Sequence, residues 1–300
     1  MFSLSTSWNS RLHSSGAKII EDIKRVGFES VELDFALSVN MVEEILALKE
    51  KGEICVSSLH NMCPLPPEVE LDEASPDYYN FISRDEAERK LAVDAVKNTL
   101  LYAKALGAGA VVLHTGRIPI KDKTKELAAV FNDKAKYEAV KREMMKEREE
   151  NKDGYVDNAI RSLKEIIPVA RECGVKIGIE TRYSYRDVPL LDEFEVIFKS
   201  VKDVWYWHDV GHAEAFERLG LIGRHEDYLE RLSDRLIGVH LHDIMCLNRD
   251  HLAPLRGTFD FKRIVPFIKK DTIKVIEAHQ PATANELKRA LDYLGNFFGR

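Results

Sequence analysis

Short apolar runs recur along the chain, separated by stretches in which apolar positions fall three and four apart. The runs are FSLS at 2–5, SVELDF at 30–35, ICVSSLH at 54–60, GAGAVVLH at 107–114, VKIGIE at 175–180, VWYWHD at 204–209, LIGVHLHD at 236–243 and TIKVIEAH at 272–279. Runs this short and this rich in branched residues predict strands. Between them the spacing predicts helices. The first uses Ile19, Ile20, Ile23 and Val26 and stops at Gly27, and the second runs from Val42 to Glu50 before Gly52. Others are expected at about 84–106, 156–173 before Gly174, 191–200, 213–232, 259–269 and 284–298. Strands alternating with helices put the chain in the α/β class. Eight of them suit a closed (β/α)8 barrel, with an open doubly wound sheet as the alternative.

Residues 118–152 break the rhythm. They are rich in Lys and Glu and contain AVFNDKAKYEAVKREMMKEREE. Such a charge run predicts a solvated, partly amphipathic helix inserted after the fourth strand, where it also qualifies as a lid over a site. With this insertion, residues 1–300 are expected to form a single domain. Hydrophobic residues make up 45% and charged residues 31%, which excludes a disordered chain. With 44 basic against 50 acidic residues the net charge is -6, a poor balance for a broad phosphate-binding face. Cys55, Cys63, Cys173 and Cys246 form no CxxC pair, so no structural zinc clip is expected. MFSLSTSWNS lacks the basic and apolar regions of a leader, and no apolar run approaches the ~20 residues that span a bilayer. A cytoplasmic protein with no membrane partner is expected. Neither GxGxxG nor GxxxxGK[ST] occurs, so those nucleotide loops have no support.

Strand after strand ends in a residue that ligates metal or moves a proton: His60, His114, Glu180, Asp209, His240 with His242, and Glu277. In a parallel barrel the C-terminal strand ends share one face, where active sites form. Alternation puts Glu277 on one strand face with Val275 and His279, and His240 with His242 opposite Val239 and Leu241. Gly178 shares the face of Glu180 and is expected to leave room for an ion or substrate. Taken alone, each of these residues reads as a surface charge or a satisfied polar group; their joint position at strand ends is what points to a site. Glu180, Asp209, His240 and Glu277 together make an oxygen-and-imidazole donor set for a divalent cation. Mn2+ or Zn2+ fits best, with Co2+, Fe2+ or Mg2+ as alternatives.

Several segments, in this order, resemble the xylose-isomerase-like TIM barrels, a superfamily of sugar phosphate isomerases and epimerases that also includes endonuclease IV. They are GFESVEL at 27–33, SSLH at 57–60, IGIET at 177–181, HDVGHA at 208–213, VHLHD at 239–243 with DHLAPLRGTFDF at 250–261, and VIEAH at 275–279. The likeness covers nearly the whole chain except 118–152. It implies metal ligation by Glu180, Asp209, His240 and Glu277, with Glu180 and Glu277 as the proton-transfer pair. His60, His114, Arg182, His212, His242 and His251 would line the substrate pocket, and His212 would contact substrate or a second ion. Two departures stand out. Where the family often reads near PGEG, this chain has PLRG, and Arg256 is a candidate contact for an anionic substrate group. Endonuclease IV members carry Asp two residues before the loop His; here that position is Arg249, which argues against three zinc ions unless Asp250 takes its place.

The function expected is therefore a metal-dependent isomerase or epimerase of a small sugar or sugar phosphate. It would work by proton abstraction next to a carbonyl. A keto-inositol-type dehydratase would use the same chemistry. An endonuclease at abasic DNA has the histidines in its favour and the net charge against it, so nucleic acid is not the expected partner. A noncatalytic sugar-binding barrel would not need both glutamates. The sequence leaves a homo-oligomer open.

Overall fold

The structure is a computed structural model, and it describes residues 1–299. β1 (Phe2–Ser5) leads through α1 (Gly16–Val26) to β2 (Ser30–Leu33), then through α2 (Val39–Glu50) to β3 (Cys55–His60). A long loop and α3 (Glu86–Leu106) return the chain to β4 (Ala110–Leu113). The charged stretch holds α4 (Thr124–Ala129) and α5 (Lys134–Asn151), followed by α6 (Tyr155–Cys173) and β5 (Lys176–Glu180). Then come α7 (Leu191–Ser200), β6 (Trp205–Asp209), α8 (Val210–Arg218), α9 (Glu226–Leu232) and β7 (Leu236–Leu241). A hairpin of β8 (Asp243–Met245) and β9 (Arg249–Leu252) precedes β10 (Ile273–Ile276) and α10 (Ala284–Phe298).

Eight strands close into a parallel barrel in the order β1-β10-β7-β6-β5-β4-β3-β2. The fold is thus the (β/α)8 TIM barrel, not an open sheet. β2, β4 and β7 are buried at every position, as strands covered on both faces must be. Outward residues such as Ile177, Ile179, Val239 and Leu241 pack under the helices. Inward ones form a separate plug of Ala110, Val112, Trp207, Ile237 and Val275. Gly178 and Gly238 make way for the Trp207 ring: a Cβ on Gly238 would lie 2.1 Å from it. The space beside Glu180 that Gly178 was expected to leave for an ion is therefore filled by tryptophan, which forms the floor under His240 with ring centroids 5.2 Å apart.

Local structure departs from the sequence pattern in three places. The helix expected at 259–269 is two short 3-10 turns, Phe261–Arg263 and Val265–Phe267, because Pro266 has no N–H to continue a helical ladder. The helix expected at 213–232 splits into α8 and α9, since Gly220 takes a left-handed conformation at φ +63°. The loop after the seventh barrel strand contains the β8–β9 hairpin, with His251 itself at φ +52°.

The charged segment is docked more firmly than a solvated helix. Arg148 on α5 is buried, holds both carboxylate oxygens of Glu193 at 2.8 Å, and donates to the carbonyls of Tyr185 and Asp187. α5 thus braces the loop that follows β5. No helix among the described residues is long and apolar enough to cross a membrane.

Candidate metal centre

Four ligand-type side chains come together at the C-terminal mouth of the barrel. Glu180 ends β5, Asp209 ends β6, His240 is the penultimate residue of β7, and Glu277 directly follows β10. Strand pairing sets them side by side, with Asp209 opposite His240 and His240 opposite Val275. One donor atom from each lies within 4.8 Å of all the others. His240 Nδ1 is 2.9 Å from Glu180 Oε1, 3.0 Å from Glu277 Oε2 and 3.6 Å from Asp209 Oδ2. All four residues are buried. Three carboxylates packed in the interior need a cation among them. With no ion, that cation is His240: burial alone would push its pKa down, but Glu277, Glu32 and Glu180 outweigh burial and raise it well above the ordinary value. Glu180 is held well below the carboxylate range, because His240 and His114 outweigh its burial. Three carboxylates and one imidazole are a donor set suited to Mn2+, Zn2+, Co2+ or Fe2+, so these residues fit a divalent cation.

The sequence reading put the ligand at His240 and placed His242 in the substrate pocket, and the hydrogen bonds set the two rings apart. His242 Nδ1 accepts the backbone N–H of His251 at 2.9 Å, so the ring proton sits on Nε2, which donates to Asp209 at 2.9 Å. His242 therefore orients Asp209, and with Asp209, His251 and Glu277 it also belongs to a donor group that overlaps this centre. Gly211 makes room for this ring: a Cβ there would lie 2.1 Å from His242 Cε1.

Glu180 faces two ways. Its Oε1 meets His240, and its Oε2 lies 3.2 Å from His60 Nε2 and 2.7 Å from His114 Nε2, so His60, His114 and Glu180 form a second candidate group. A third group is His212, Asp250 and His251. His212 donates from Nδ1 to the carbonyl of Thr181 at 2.9 Å, which leaves Nε2 as the acceptor, 3.8 Å from Asp250 Oδ2. His251 Nδ1 is 3.3 Å from Asp250 Oδ1. Asp250, not position 249, brings its carboxylate to this group. The Asp250 carboxyl is lowered to about 2, since His251, His212 and His242 more than offset its burial. His279, stacked on His251 with centroids 4.1 Å apart, is pushed down to about 3 by burial and that neighbour.

The other residues singled out from the sequence fall in different places. Glu180, Glu277, His60, His114, Arg182, His212 and His251 line one cavity of about 270 Å³. Arg182 is buried, 2.5 Å from Asp77 Oδ2 and 3.4 Å from Asp187 Oδ2. Arg256 stands away from the cavity, 64% exposed and paired with Glu286 at 3.1 Å, and so does not serve as the anion contact. One residue went unmarked. Glu32 on β2 is fully buried between Val31 and Leu33, with Oε1 2.9 Å from His240 Nε2 and Oε2 accepting from Ser58 Oγ at 2.7 Å. An acidic residue amid an apolar strand was the available signal.

Residues 20–296 match the family described as the xylose isomerase-like TIM barrel. The chain belongs to this family. The uncharacterized protein y4fM of Sinorhizobium fredii is 29% identical over 219 residues, covering 70% of this chain and 61% of that protein. The aligned region thus spans about three-fifths of that relative's length. Solved structures of the same fold include a D-tagatose 3-epimerase-like protein at 21% identity and TM-score 0.69, covering 99% of this chain and 96% of that one. The IOLI protein, solved with a bound zinc atom, aligns at 16% identity and TM-score 0.67 over 100% and 99% of the two chains.

Proposed function

We propose that the protein is a divalent-metal-dependent isomerase or epimerase of a small sugar or sugar derivative. The observation that carries this is the convergence of Glu180, Asp209, His240 and Glu277, with both glutamates also lining the cavity. The D-tagatose 3-epimerase-like fold neighbour and the zinc in the IOLI structure support it. Glu180, Asp209, His240 and Glu277 would hold the ion. When bound, the ion supplies a Lewis acid that polarises a substrate carbonyl and offsets developing negative charge. One glutamate would take the proton from the carbon next to the carbonyl, and the other would return one. Return to the opposite face of the same carbon gives an epimer; return to the neighbouring carbon gives an isomer. For the exchange to balance, the glutamate that takes the proton starts ionised and the one that returns it starts protonated. His60, His114 and His212 line the same cavity, and His212, whose Nδ1 is taken by the carbonyl of Thr181, would offer its Nε2 to a substrate hydroxyl.

The test is a screen of ketoses in D2O with the metal-loaded protein, followed by NMR. Deuterium entering at the carbon adjacent to the carbonyl, together with formation of an epimer or isomer, is expected. Metal-loaded protein that turns over no ketose or aldose and exchanges no such proton contradicts the proposal.

One observation favours a second possibility, a multinuclear hydrolase of abasic DNA: four donor groups lie together, and two of them share Glu180. The net charge of -6 opposes it. Cleavage of an abasic duplex, with more than one metal ion per chain, would decide in its favour.

A further inference from the structure

Beside the metal centre the chain gathers three arginines whose donors are not used up. Arg182 gives one nitrogen, Nη2, to Asp77 and Asp187, while its Nε and Nη1 are buried with no hydrogen-bond partner. Arg186 donates from Nη1 to the carbonyl of Ile120 at 3.1 Å, but its buried Nε has no partner. Arg117 makes no side-chain hydrogen bond and no ion pair among the described residues, although it is only partly exposed.

The backbone that carries these side chains is held in place. The amide and carbonyl of Arg117 both bond the side chain of Asn80, at 3.2 and 2.8 Å, and Arg117 forms a bridge with Asp187. The amide of Ile118 donates to the carbonyl of Arg186 at 2.9 Å. The loops after β4 and β5 are thereby laced together, and α5 braces the second through Arg148. Unpaired guanidinium donors this well fixed form a fork suited to a planar or tetrahedral oxyanion.

Their position relative to the reacting centre gives the arrangement its meaning. The cavity that contains Glu180 and Glu277 adjoins a second of about 520 Å³, lined by Asn80, Arg84 and Tyr155 among others. Arg117, Arg186 and Asp77 line both and so stand at the junction, where Asp77 is already taken up by Nη2 of Arg182. A substrate with its carbonyl end at the metal centre would direct its far end there. A burial cost falls on unpaired donors that a matching acceptor removes.

We propose that the substrate carries an anionic group, a phosphate ester or a carboxylate, at the end remote from the reacting carbons. Arg117, Arg182 and Arg186 receive it. This rests on the isomerase or epimerase proposal for which carbons react, but not for the binding of the anion itself.

The test compares D-fructose, D-fructose 6-phosphate and D-fructuronate as ligands of the full-length, metal-loaded protein by calorimetry, with turnover measured in parallel. At least one anionic ligand should bind tenfold or more tighter than fructose, and the phosphate and carboxylate arms show which group is preferred. That advantage should fall to within about threefold in Arg117→Gln/Arg186→Gln, while metal content stays unchanged. An equal affinity for all three ligands overturns the inference. So does an advantage that survives in the double variant, since the anion would then be sitting on the metal. An arginine-dependent advantage without any turnover of the three or of the wider sugar screen upholds the anion site and counts against the isomerase proposal. Turnover with no anion preference does the reverse.

Discussion

His240 is gripped from both sides of its ring: while Nδ1 faces Glu180 and Glu277, Nε2 lies 2.9 Å from Oε1 of Glu32. Glu32 is in turn fixed by Ser58, and a string of hydroxyls through Ser57, Ser3 and Ser30 continues across the barrel floor. A carboxylate on the far nitrogen fixes the tautomer that presents the near one, and partners of this kind are commonly worth 10–100-fold in metal affinity. Glu32→Ala should therefore weaken metal binding by about that factor. Competition against a chelating dye reads this directly, and an affinity within twofold of the wild type would show that the contact only fills space.

Metal binding should strengthen as pH rises. In the metal-free site His240 keeps its proton to higher pH than an ordinary histidine, because Glu277, Glu32 and Glu180 overcome the effect of burial. A metal on Nδ1 must displace that proton, so the apparent affinity falls as pH drops below the raised value and climbs through it. Calorimetry in two buffers of different ionisation heat should detect proton release at neutral pH. No release would mean that His240 is already neutral.

Asp34 gives a separate prediction about stability. It is buried, accepts from Ser10, Thr6 and the amide of Ala36, and still has its pKa raised to about 6, because burial outweighs those bonds and nearby His60. A carboxyl raised in the folded state favours folding fully below its unfolded value of 3.8, and that contribution disappears as pH rises through about 6. The rise from 3.8 to about 6 corresponds to about 3 kcal/mol at pH 8. Asp34→Asn in metal-free protein should gain stability of that order at pH 8 and little at pH 4. Denaturant titration at the two pH values checks it.

Glu277→Gln should lower kcat by on the order of 10²–10⁴. Part of the metal should remain, since Glu180, Asp209 and His240 are left in place. Near wild-type turnover in this variant would rule out a two-glutamate mechanism.

The barrel was legible because its strands read as short apolar runs and its helices as spaced ones. Where a single residue overrides the period, as Pro266 and Gly220 do, the pattern misled. Glu180, Asp209, His240 and Glu277 were nameable because strand ends share a face. The different settings of His240 and His242 were not, since the His251 amide reaches His242 Nδ1 only through the folded loop after β7. Glu32 escaped notice because it lies within a strand, not at its end. Arg117 escaped because its significance comes from loops that meet only in three dimensions. Arg256 was overvalued because proximity to a site histidine along the chain does not bring a side chain to the site.

Metal content per chain, by elemental analysis of protein purified without a His tag or added metal, tests the central claim most directly. The account predicts about one Mn, Zn, Co or Fe in the wild type and its loss in Glu180→Ala/Asp209→Ala. A wild-type protein that holds no metal even after soaking would contradict the metal centre and the isomerase or epimerase chemistry built on it.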